Sequence, residues 1–116
     1  MATLSAQFPS GSLDGAPIIV QHTDETQPGT LICALHPTLP EELFLSAANN
    51  YFAQADLIFQ YYNAANVLIC LGRVALPSRQ GFQGFQGGLR QKNITVRAVA
   101  SVAGEVIVGA NINRIE

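Results

Sequence analysis

From residue 17 onward, apolar and polar side chains alternate along short runs separated by turn-forming residues. Over Glu42–Ala48, Leu43, Leu45 and Ala47 fall on one side. Over Ala55–Tyr62, Leu57, Phe59 and Tyr61 share one side, while Asp56, Ile58 and Gln60 take the other. Over Asn93–Ala100 the apolar side holds Ile94, Val96, Ala98 and Ala100, and the other holds Asn93, Thr95 and Arg97. Over Glu105–Ile115, Val106, Val108, Ala110 and Ile112 point inward, with Gly109, Asn111 and Asn113 outward. A period of two suits a half-buried strand, because successive side chains of a strand point to opposite faces. Three further strands are expected: Pro17–Gln21, Thr30–His36 after the Gln27-Pro28-Gly29 turn, and Asn66–Leu71. The last is a continuous apolar run that Val74–Leu76 can prolong past Gly72. Pro40–Phe52 is the one helix candidate, and the alternation through Leu43 and Leu45 favours a strand there. Strands recurring every 8–14 residues predict an all-β fold, an antiparallel β-sandwich that is jelly-roll-like, and not a βαβ architecture.

Two segments break this rhythm. Residues 1–16 hold Gly, Ser, Pro and Thr with isolated Leu4, Phe8 and Leu13, and no regular element is expected. This reads as an extended N-terminal arm ahead of a sandwich domain over 17–116, its apolar anchors ordering on a partner. The alternative is a frayed terminus. Residues 77–92 read as an insert, with Gly81-Phe82-Gln83 repeated as Gly84-Phe85-Gln86. Burying each Phe ring is worth about 1.5–3 kcal/mol, so the loop either folds over one end of the sandwich or docks its rings on a neighbour.

Composition sharpens the picture. In 116 residues, 48 % are hydrophobic and 12 % are charged. About 25 % charge is usual, so part of the surface is expected to meet a partner. The net charge of −2 argues against a nucleic-acid partner, which would need a basic face. Residues 1–72 carry six acids and no Lys or Arg, a balance of −6. The remainder carries all six basic side chains against Glu105 and Glu116, a balance of +4. Such halves could dock copies or a lattice if they separate in space, and would cancel if strands from both halves interleave. Cys33 and Cys70 lie in apolar runs and read as small buried hydrophobes, with a cross-strand disulfide left open. No signal peptide is expected, and no apolar run approaches the ~18 residues of a membrane span.

Little points to catalysis. His22 and His36 are the only histidines and form no ligand pair. His22, Asp24 and Glu25 could approach one metal, although Thr23–Thr26 reads more simply as a solvated turn. No nucleophile elbow, phosphate loop or dinucleotide fingerprint occurs. Asp24-Glu25 and Glu41-Glu42 are adjacent pairs, which an extended chain points to opposite faces, so neither makes the facing carboxylates of a glycosidase. Asp56 reads as a strand-edge charge, and Arg97 as a solvated or cross-strand paired side chain. No cofactor and no metal are expected. Tyr51, Phe52, Tyr61 and Tyr62 permit a sugar platform, with Tyr61 read as core.

Val96-Arg97-Ala98-Val99-Ala100-Ser101, followed by Val106 through Ile115, resembles the ending of small structural proteins of tailed bacteriophages. Those chains often finish on a strand of the form I-x-G-x-V-N-R-I after a V-R-A-F-A strand. Gln21-His22-Thr23 before a polar turn, and Glu42-Leu43-Phe44-Leu45 before Ala47-Ala48-Asn49, are similar to the same family. The layout matches over residues 17–116, and the last twenty or so positions are the specific part. The Gly-Phe-Gln repeat departs from the pattern. The resemblance implies a decoration (cement) protein on the exterior of a capsid, made in the host cytoplasm. It also implies a homo-oligomer, with a trimer favoured, whose arm reaches onto the major capsid protein. Leu4, Phe8 and Leu13 of the arm and Arg79, Phe82, Phe85 and Arg90 of the loop are the expected contact residues. Removing residues 1–15 should then weaken attachment and leave the domain folded. The alternative is a ligand- or carbohydrate-binding sandwich of a tail or head fibre, using Tyr51 or Tyr62.

Overall fold

The computed structural model describes residues 4–34 and 36–116; at 85–86 and 88–90 it describes the backbone only. Met1 to Thr3 of the expected arm, and Leu35 of the expected Thr30–His36 strand, therefore lie outside the described residues. Among the described residues nine strands are formed: β1 (Leu4–Gln7), β2 (Ile18–Ile19), β3 (Thr30–Ala34), β4 (Glu41–Asn49), β5 (Ala55–Tyr62), β6 (Leu68–Leu76), β7 (Gln83–Gln91), β8 (Thr95–Ala100) and β9 (Val106–Ile115).

All pairings are antiparallel. They nest: β5 pairs β6, β4 pairs β7, β3 pairs β8, and β1 and β2 both pair β9. A long hairpin with its tip between β5 and β6 is thus rolled up, and alternate rungs fall into alternate layers. Sheet A has the order β1-β9-β4-β7, with β2 also on β9, and sheet B the order β3-β8-β5-β6. This is the order of a jelly roll whose first strand is split into β1 and β2. The β-sandwich expected from the alternation is the fold of the chain.

The interior is built by the predicted alternation. Leu43, Leu45 and Ala47 of β4, Leu57 and Phe59 of β5, Val96 and Ala98 of β8, and Val106, Val108 and Ile112 of β9 are buried together. Tyr61 lies partly buried against them. No helix forms over Pro40–Phe52; β4 and the turn after it occupy those residues. Asn49, fully buried, holds that turn: its Nδ2 donates to the carbonyls of Ala53 (3.0 Å) and Pro77 (3.0 Å), and its Oδ1 accepts from the Tyr51 N–H.

Both segments that broke the alternation contain strands. β1 pairs with β9 through Leu4↔Ile115 and Ser5↔Arg114. β2 continues along β9 through Ile18↔Val108. Between them the chain leaves sheet A and runs against β3: the Gly11 N–H donates to the Ile32 carbonyl, and Ser10 Oγ accepts from the Ala34 N–H. A backbone ladder needs no alternation of side chains, which is why the pattern gave no warning. The expected insert likewise supplies β7, which pairs β4 with two register shifts. Its glycines carry weak strand preference, and the ladder on β4 decides the outcome.

Burial departs from expectation on sheet B. Gln60 and Ile58, on the side opposite Leu57 and Phe59, are buried as well. Gln60 Oε1 accepts from the Gly29 N–H (2.8 Å), and its Nε2 donates to the carbonyls of Gln27 (2.8 Å) and Glu25 (3.1 Å). That side chain ties the segment before β3 across the outer face of sheet B. Arg97 is half-buried on the same face and donates to the Gly29 carbonyl (3.0 Å). Conversely, the apolar run expected to be buried at the start of β6 is exposed: Val67, Leu68, Ile69 and Leu71 all face solvent.

Candidate interaction surfaces

β4 and β9 lie side by side through Glu42↔Asn113, Phe44↔Asn111, Ser46↔Gly109 and Ala48↔Ile107. Apart from Ala48, which is itself buried, these are the residues alternate to the buried ones, so they form the outer face of sheet A. β1 adds Leu4 beside Ile115 and Ala6 beside Asn113, and β2 adds Ile19 beside Ile107. A solvated sheet face normally carries polar and charged side chains. This one carries Phe44, Ile19, Ile107, Leu4 and Ile115, with Glu42, Ser46 and two asparagines between them.

Two more rings join the face from outside the strands. Phe8, 73 % exposed, follows β1 and lines an open groove of about 490 Å³ with Ala6, Phe44, Asn111 and Asn113. Its ring leans on Gly15, where a Cβ would come within 2.8 Å of Cδ1. Phe82, half-exposed, lies against Gly109 of β9, where a Cβ would meet its ring at 3.6 Å. Gly109 and Asn111 are alternate residues of one strand, so Phe82, Phe44 and Phe8 run along one face.

The expected contact residues thus divide. Leu4, Phe8 and Phe82 come together on sheet A. Leu13 is the most exposed of the large apolar side chains in the described residues (81 %) and sits in a turn closed by the Ala16 N–H to the Leu13 carbonyl. Arg79 lies at the end of the sandwich, its N–H donating to the Tyr51 carbonyl and its φ at 54°. The backbones of Phe85 and Arg90 belong to β7, and their side chains lie outside the described residues. Phe44 and Asn111 were missed. Phe44 stands at a position that the alternation of β4 assigns to solvent, and that mismatch is the signal that finds it.

The polar groups mostly hold structure. Arg114 reaches buried Glu41 at 3.3 Å, and Glu41 also accepts from the His36 N–H. His36 Nδ1 accepts from the Leu39 N–H (3.0 Å), closing the turn before β4. His22 Nδ1 is 2.7 Å from Thr30 Oγ1, while Asp24 caps its own turn through Thr26. The Thr26 hydroxyl and N–H hold the Asp24 carboxyl below its usual range. Among the described residues no three His, Cys, Asp or Glu side chains gather at one point. Asp56 is exposed, not on an edge strand, and lines an open groove with Glu25, Arg73 and Ser101.

The cysteines differ. Cys33 is buried and Cys70 is exposed, and both are free thiols, so only Cys33 is the buried hydrophobe expected. Burial, and secondarily the charge of Glu41, pushes the Cys33 thiol up to about 12. A thiol so raised stays protonated and is a poor nucleophile. Tyr51 stacks at a tilt on exposed Phe52, 4.4 Å between centroids, at the turn before β5. Tyr62 is buried at the far end of that strand. The two tyrosines of a sugar platform are therefore at opposite ends of β5.

No protein-family model, no curated protein and no solved structure matches this chain.

Proposed function

We propose that this protein is a structural subunit that works by docking, and that it decorates the exterior of a tailed-bacteriophage head by binding the major capsid protein. The observation that carries the docking part is the apolar outer face of sheet A, where exposed Phe8 and Phe82 and half-buried Phe44 line up beside Asn111. Clustered exposed aromatics on a sheet are what a protein partner buries. The capsid part rests on the resemblance of the last two strands to phage structural proteins. β9, which carries most of that resemblance, supplies the middle of the face. Jelly rolls serve as capsid, lectin and cupin domains alike, so the fold is compatible with this reading and does not select it. Many copies on one shell would turn a modest contact into avidity, and binding only the assembled shell would stabilise it by linkage.

Deleting residues 1–15 is no longer a clean test, because it would strip β1 from β9 and uncover β3. Point changes on the face are cleaner. The double variant Phe8→Ser/Phe82→Ser should keep its circular dichroism spectrum and melting profile. Its co-sedimentation with undecorated heads of the encoding phage should weaken at least about tenfold, since aromatic anchors dominate such contacts. Undiminished binding by the double variant would remove the face from the proposal. Failure of the unaltered chain to bind heads would remove the capsid.

A further inference from the structure

The groove on sheet A has a floor as well as rings. Asn111 and Asn113 are alternate residues of β9 on its outer side, and both line the groove. β1 and β4 flank β9, so Phe8, just past β1, and Phe44 on β4 stand as walls to either side. Phe44 leans away from β9 onto Gly87 of β7, where a Cβ would meet its Cδ1 at 3.8 Å, and Phe8 rests on Gly15, outside the strands. The space over β9 is thereby left open. Among the described residues no charged side chain lines the groove, and neither asparagine side chain has a hydrogen-bond partner. Each primary amide carries a donor and an acceptor side by side. Alternate residues of a strand are about 6.8 Å apart, and any extended chain repeats at the same interval. A chain laid along β9 therefore turns the N–H and C=O of one residue to Asn111 and those of the residue after next to Asn113. Its successive side chains then point to the Phe8 wall and the Phe44 wall in turn.

We propose that the groove takes an extended, uncharged segment of the capsid protein, its main chain on Asn111 and Asn113 and its apolar side chains against Phe8 and Phe44. The inference rests on the docking reading above and names what that face binds. Charge complementarity favours this occupant: a charged side chain would lose water against two rings and find no counter-charge in the groove. The asparagines favour a main chain over a purely apolar partner, which would leave both amides without water and without a bond. A sugar also stacks on a ring and bonds an amide, but an extended main chain presents a donor and an acceptor together at the two-residue interval of β9.

Asn111→Ala/Asn113→Ala should melt like the parent, since neither side chain holds structure among the described residues. Its co-sedimentation with undecorated heads of the encoding phage should weaken about tenfold or more. Undiminished binding by this variant, with Phe8→Ser/Phe82→Ser still weakened, would overturn the segment and leave the docking face standing. Failure of the unaltered chain to bind heads would overturn both. A photo-crosslinking benzoylphenylalanine in place of Phe8, which keeps the ring, gives an independent readout. Its adducts should fall on one short stretch of the capsid protein without Lys, Arg, Asp or Glu; adducts scattered over several stretches, or on a charged one, would overturn the segment. Heads treated with periodate, which destroys sugar diols, should bind as before. Binding lost with the sugars would put a glycan in the groove instead.

Discussion

β3 and β6 are the two edges of the same four-stranded sheet, and each carries one cysteine in an apolar run. On β3, Ile32 and Cys33 are fully buried; on β6, Leu68, Ile69 and Leu71 face water. Hydropathy does not distinguish them. Ile32 and Cys33 enter the core between the sheets and residues 9–11 bond along the β3 edge, whereas no described segment buries the matching stretch of β6. Burial at an edge is therefore decided by what the rest of the chain can reach. The N-terminal segment reaches β3 because β1 and β2 anchor both of its ends on β9.

The largest expected effect comes from breaking that cover. A Cβ on Gly11 would stand 2.0 Å from the Leu31 carbonyl oxygen, with no flexible side chain to give way. Gly11→Ala should cost about 2 kcal/mol or more, the range of changes that clash with backbone. Gly81→Ala, where nothing lies within 4 Å, is the matched control and should be close to neutral. Equal melting temperatures for the two variants would mean that the cover is loose.

The thiols sharpen the comparison at smaller cost. Cys70 should react with a maleimide in the folded protein, and Cys33 only as fast as the protein unfolds. The pH dependence follows from the raised thiol. The fold holds Cys33 neutral, whereas the unfolded chain ionises it near 9.0. Its contribution is complete below that value and is lost as pH rises toward about 12, by at most ~1.4 kcal/mol per pH unit. Tyr61, raised chiefly by burial and then by Cys70 and Cys33, acts in the same direction. Urea titrations of the unaltered protein and of Cys33→Ala between pH 8 and 11 check this; parallel stability curves would assign the loss elsewhere.

The smallest effect belongs to the ion pair beside β6. Arg73 and Glu25 meet at 2.9 Å with both side chains largely exposed. Exposed pairs contribute about 0–1 kcal/mol, so Arg73→Gln should leave the melting profile within about 0.5 kcal/mol of the parent. A larger loss would show that Glu25 helps Gln60 hold the covering segment on sheet B.

The alternation of β4, β5, β8 and β9 was enough to predict the two-layer interior, because a period of two leaves one face of each strand only the core to enter. Phe8 and Phe82, in the two segments outside that alternation, read as rings that need company. The alternation did not show that they share a face with Phe44, which depends on β1 and β2 pairing β9. Nor did it reveal β7, whose glycine-rich residues are extended only because β4 offers them a ladder. Gln60 is the clearest case of a polar residue read as solvated: three partners some thirty residues away make its burial affordable.

By itself, then, the order of side chains determined which residues alternate and which faces of β4, β5, β8 and β9 enter the core. Only the tertiary structure decided which edges are covered and which apolar runs remain in water. The physical reason is that alternation is a local property of neighbours in the chain. Cover is a property of segments brought together from far apart, through backbone hydrogen bonds that no side-chain pattern records.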